Sequence, residues 1–120
     1  MCIFNRIIAI LLMLLGIIHD VATFTPLIAE GLESVSEMQV KALTYMSLIC
    51  GASLILSGLL LFLLLPFRAE HKAIKNATNI IGLFLLAAGI LAVVYMPYNP
   101  FAWITLILCL SADFGIIRTK

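Results

Sequence analysis

Residues 76–112 read NATNIIGLFLLAAGILAVVYMPYNPFAWITLILCLSA, 37 positions without one Asp, Glu, Lys or Arg. A helix rises about 1.5 Å per residue and needs about 20 apolar residues to cross the hydrocarbon core of a bilayer. The stretch is too long for one crossing and suits two. Its middle, Met96-Pro97-Tyr98-Asn99-Pro100, supplies the reversal. Pro97 and Pro100 have no backbone N–H to donate, so a helix stops there. Asn99 followed by Pro100 then reads as N-cap and first position of a new helix. The stretch predicts a tight hairpin of two crossings, about 76–96 and 100–117.

The same reading works outward. Between Lys41 and Arg68 lie 26 residues without a charge, one crossing at about 40–65 ended by Pro66. The helix begins before the apolar run, because Ser34-Val35-Ser36-Glu37 matches the S-x-x-E capping box. That predicts a helix over 35–65. Arg68 to Lys75 suits an inward extension of the third helix, to about 70–96. Nearer the start, Ile7–Ile18 is a run of 12 that His19-Asp20 interrupts. A secretory leader has the same look, with Arg6 as its basic end. No small-x-small cleavage site follows Asp20, and apolar character resumes at Phe24. An uncleaved helix over 4–24, ended by Thr25-Pro26, is the reading adopted, with the leader as its alternative. The fold expected is all-α: a polytopic, four-transmembrane-helix up-down bundle forming one domain over 1–120.

Composition agrees. Hydrophobic residues make up 64% of the 120 and charged residues 11%, against about 25% charged in a soluble domain. So few charges cannot cover the surface of a water-soluble protein this small. A net charge of +1 with no basic patch argues against nucleic-acid binding.

Arg6, Arg68, Lys72, Lys75, Arg118 and Lys120 fall on one side of this topology and Lys41 alone on the other. Under the positive-inside rule both termini are cytoplasmic, in a plasma or inner membrane. The acidic first loop (Glu30, Glu33, Glu37) and the Pro-Tyr-Asn-Pro turn then face outward. Tyr95, Tyr98 and Trp103 flank that turn, where an aromatic belt is expected. The acceptor triplet Asn76-Ala77-Thr78 then lies on the side where glycosylation does not occur.

Helices in lipid associate by close packing and hydrogen bonds, so small residues mark contact faces. Ser47, Gly51 and Gly58 share a stripe on the second helix, and Gly82, Gly89 and Ala92 share one on the third. These two helices are expected to form the tight pair.

Polar groups in the crossings are the only candidate chemistry, since an ionisable residue in hydrocarbon costs about 3 kcal/mol on insertion scales. His19, Asp20 and Thr23 near the outer end of the first helix, with Lys41 and Tyr45 opposite, form a candidate polar site. An acid there can exchange a proton for a substrate. The plainer reading pairs Asp20 with Lys41 and gives His19 a backbone carbonyl. Asp113, near the inner surface, is expected to pair with Arg6 or Arg118. His71 is expected to be solvated in its charged loop.

Cys2, Cys50 and Cys109 form no C-x-x-C pair. His19 is the one histidine in a crossing, so a bis-His haem is not expected, and with Asp20 alone it makes no metal site. No cofactor, metal or catalytic residue is assigned.

In size and helix count the chain resembles the small multidrug-resistance transporters, which have four short helices and an acid in the first. Here the acid is Asp20, near the outer end within Ile18-His19-Asp20-Val21, not a glutamate deep in the helix. The six-to-one charge bias also departs from the dual insertion found in part of that family, so no residue role is carried over.

Two readings of function follow. The first is a non-enzymatic accessory membrane subunit whose partners are the lipid bilayer and a second membrane subunit or further copies of itself. The second is a small proton-coupled transporter or small-molecule-binding protein using the polar site on the first helix.

Overall fold

The computed structural model describes residues 3–25 and 34–119. Among these residues there are four α-helices: α1 (Ile3–Ala22), α2 (Glu37–Leu64), α3 (Lys72–Tyr95) and α4 (Pro100–Arg118). Each is long and apolar enough to cross a membrane, and the bundle is 53 Å along its long axis. The protein is a multi-pass membrane protein built as an all-helical four-helix bundle. The lipid-facing surface carries large apolar side chains such as Ile10, Leu56, Leu83 and Ile107, while Leu12, Leu61, Leu85 and Cys109 are fully buried.

Local chemistry sets the helix ends. At α4 Asn99 is the N-cap: its Oδ1 accepts from the Phe101 backbone N–H at 3.0 Å, and Pro100 takes the first position. Trp103 turns its indole N–H back onto the Pro97 carbonyl at 2.9 Å, fastening the reversal. The α2 capping box forms two residues later than Ser34 and Glu37 would place it. Ser36 is the N-cap and Gln39 its partner, the Ser36 N–H donating to Gln39 Oε1 at 3.2 Å. Glu37 is engaged instead by Lys41, one turn on, at 2.6 Å. At its far end α2 passes into a 3₁₀ turn, Leu65–Phe67, around Pro66. The next residues turn back rather than extending α3, which starts at Lys72 behind an extended His71. At the end of α1 Thr25 Oγ1 donates to the Ala22 carbonyl at 2.7 Å. Pro26 and the acidic residues Glu30 and Glu33 lie outside the described residues.

The tight pairs are α1 with α2 and α3 with α4, not α2 with α3. The small-residue stripes do mark contact faces, but each meets its hairpin partner. A Cβ built on Gly16 would lie 2.6 Å from the Gly51 carbonyl oxygen, and one on Gly58 would lie 2.7 Å from that of Ala9. On α3 Gly82 faces Asp113 and Gly89 faces Leu106 and Cys109 of α4. A glycine stripe requires a close neighbour without naming it, and the neighbour is the helix adjoined across the membrane-surface loop. The two hairpins then meet along thinner seams, α1 against α4 and α2 against α3.

Candidate functional site

The α1–α2 interface carries a polar cluster at the end of the bundle where α1 finishes. Thr23, the first residue after α1, follows His19 by one turn, its N–H still bonded to the His19 carbonyl, so the two share a face, and Ser47 of α2 faces both. Ser47 Oγ is 3.1 Å from His19 Nε2 and 2.6 Å from Thr23 Oγ1. Thr23 Oγ1 is in turn 3.0 Å from the His19 carbonyl oxygen. Each hydroxyl has one proton to give, which leaves two consistent directions. With a proton on His19 Nε2, His19 donates to Ser47, Ser47 to Thr23, and Thr23 to the carbonyl. With Nε2 bare, Thr23 donates to Ser47 and Ser47 to His19, while the carbonyl keeps the Thr23 backbone N–H at 3.1 Å. The imidazole proton sets the sense of the chain.

Asp20 turns to the same helix contact one turn of α2 further in. Its carboxyl group lies against Gly51, in the space a Cβ would fill. Asp20 Oδ1 is buried and has no hydrogen-bond partner among the described residues. Lys41 and Tyr45 are not part of the site. Lys41 is on the exposed first turns of α2, paired with Glu37, and Tyr45 is exposed. The local partner one turn away wins Lys41 because no second helix has to be spanned to reach it. Ser47 takes the place the sequence reading gave to Tyr45. Its signal was the packing stripe itself: Ser47 is four residues before Gly51, so the face that meets α1 also presents a hydroxyl.

Asp113 repeats the Asp20 arrangement on the other hairpin. Its carboxyl group faces Gly82, and Oδ2 is buried without a partner among the described residues. Neither Arg6 nor Arg118 pairs with it among the described residues. The Arg118 guanidinium sits instead over the Phe114 ring, 4.5 Å from its centroid.

A second polar group closes the opposite end of the bundle. Arg68, in the turn after α2, is 6% exposed. Its Nε donates to the Thr119 carbonyl at 3.0 Å and its Nη1 to the Lys75 carbonyl at 3.1 Å and to Thr78 Oγ1. Asn5 Nδ2 donates to Thr119 Oγ1 at 2.8 Å. Burial pulls the Arg68 guanidinium below its usual pKa. The cluster joins α1, the α2–α3 turn, α3 and the end of α4. Sequence reading counts Arg68 as a loop charge, because nothing in its neighbours announces that four segments converge on it.

No protein-family model, curated protein or solved structure matches the chain. The resemblance in size and helix count therefore brings no residue roles with it, and function rests on the site's own chemistry.

Proposed function

We propose that the protein is a non-enzymatic membrane protein that exchanges a proton for a small lipophilic cation at Asp20, the step on which a proton-coupled transporter depends. One observation carries this reading: a buried carboxyl oxygen without a donor among the described residues, beside the two-way His19–Ser47–Thr23 chain. Ionisable groups inside a membrane bundle are rare and costly, and they mark ion pathways and proton relays. An acid with an open oxygen takes a proton or a cation as its first partner. Gly16, Gly51 and Ile55 close around the carboxyl group from the helix contact, so a cation reaches Asp20 from the end of the bundle where α1 finishes and not from between the helices. On the charge bias of the loops, the site faces the external compartment and the Asn5–Arg68 end faces the cytoplasm.

The accessory-subunit reading has less to stand on. A tightly packed partner helix needs a small-residue face, and the six described glycines are all in contact with a neighbouring segment of this chain.

The test is proton release. Purified protein in weakly buffered detergent is mixed with tetraphenylphosphonium, and the pH of the solution is followed. Wild type and Asp113→Asn are expected to release protons, and Asp20→Asn to release none. Silence from wild type, or equal release from Asp20→Asn, contradicts the proposal.

A further inference from the structure

The seam between α1 and α4 at the Asn5 end carries a feature independent of Asp20. Phe4 and Phe114 meet edge to face there, with ring centroids 6.4 Å apart and planes at 84°. Both remain open to the surroundings, 40% and 50% exposed. The Arg118 guanidinium covers the Phe114 ring, and among the described residues it makes no hydrogen bond or ion pair. This is a cation whose position is fixed by an aromatic face while its five N–H donors stay free. The same end of the bundle also holds Arg6, Arg68, Lys72 and Lys75, against Glu70 alone. Asp113, the nearest acid along α4, is turned inward to Gly82.

We infer that this seam is a seat for an anionic phospholipid, its phosphate on Arg118 and its acyl chain along Phe4 and Phe114. Charge complementarity selects the headgroup. A planar guanidinium offers parallel N–H groups to two phosphate oxygens, which a lysine cannot do. The apolar part of the lipid meets side chains already facing the hydrocarbon, including Ile3 and Ile7. A zwitterionic headgroup brings its own cation next to Arg118 and is disfavoured.

The experiment is a titration of the purified full chain in neutral detergent with phosphatidylglycerol, and separately with phosphatidylcholine, counting retained lipid by native mass spectrometry. Phosphatidylglycerol is expected to bind more tightly than phosphatidylcholine. One basic group near a membrane surface contributes about 1 kcal/mol to anionic-lipid attraction, so Arg118→Gln should weaken phosphatidylglycerol binding about fivefold. Arg118→Lys, which keeps the charge and loses the planar fork, should fall between the two. Lys72→Gln, at the same end of the bundle but off the seam, should change binding less than Arg118→Gln. Equal retention of the two lipids overturns the proposal. So does an equal loss in Lys72→Gln and Arg118→Gln, which would mean diffuse attraction to the whole basic rim. Arg118 holds no acceptor among the described residues, so its variants should fold, and an unchanged circular dichroism spectrum confirms that they have.

Discussion

Asp20 reaches across the α1–α2 contact into the space left by the missing side chain of Gly51. The two positions depend on each other: the acid fits because the glycine is there. Gly51→Ala should force the carboxyl group aside and loosen the hairpin by about 1–3 kcal/mol, the usual cost of overpacking a close contact. The helix propensity of alanine works against that loss by up to about 1 kcal/mol, so the net change is read best beside Gly51→Ala/Asp20→Ala. Thermal unfolding in detergent should show the second substitution recovering part of the first. Strict additivity would mean the two residues do not touch.

Ser47 should prove to be the link between the helices at the polar site. Interhelical hydrogen bonds in membranes contribute about 0.6 kcal/mol on average and up to about 1.7 kcal/mol, so Ser47→Ala is expected to cost a little stability. Its sharper effect is on His19, whose imidazole nitrogen resonances should shift. Ser53→Ala is the control, because Ser53 Oγ donates to the Ile49 carbonyl of its own helix at 2.7 Å. Identical His19 spectra in wild type and Ser47→Ala would remove the chain.

How much of this was legible in the sequence depends on what each residue reports. Charge-free gaps report depth, so the four crossings and the Asn99-Pro100 start could be read directly. Small residues report that something lies close, which is why Gly51 and Gly82 marked real interfaces but did not identify α1 and α4 as their partners. Ionisable residues report only that a partner is needed. Lys41 found Glu37 one turn away instead of Asp20 across the interface, and Arg118 found an aromatic face instead of Asp113. Ser47 was visible as part of a packing stripe, but not as a hydroxyl that would meet His19 and Thr23. Arg68 was hidden for a different reason, being ordinary in its own segment and significant only where separate segments converge.

Arg68 should act as the fastener of the Asn5 end. Thr78→Val removes one acceptor from a buried guanidinium and should cost about 1–3 kcal/mol. Arg68→Gln should cost more, because the Thr119 carbonyl then loses its guanidinium donor and the Lys75 carbonyl keeps only the Thr78 hydroxyl of its two side-chain donors. Protease cleavage near 68–71 is the local readout, and it should accelerate in both variants. Unchanged cleavage would show that the cluster does not hold the turn.

Lys41→Gln should leave thermal stability and the Asp20 site unaltered, since its pairing with Glu37 is exposed and ion pairs of that kind contribute little. A loss of cation binding in this variant would return Lys41 to the site.

The central claim is that Asp20 takes up a lipophilic cation, and equilibrium dialysis of radiolabelled tetraphenylphosphonium against wild type, Asp20→Asn and Asp113→Asn measures it most directly. Binding by wild type and Asp113→Asn with loss in Asp20→Asn is the predicted result. Undiminished binding by Asp20→Asn, or none by the wild-type protein, would contradict it.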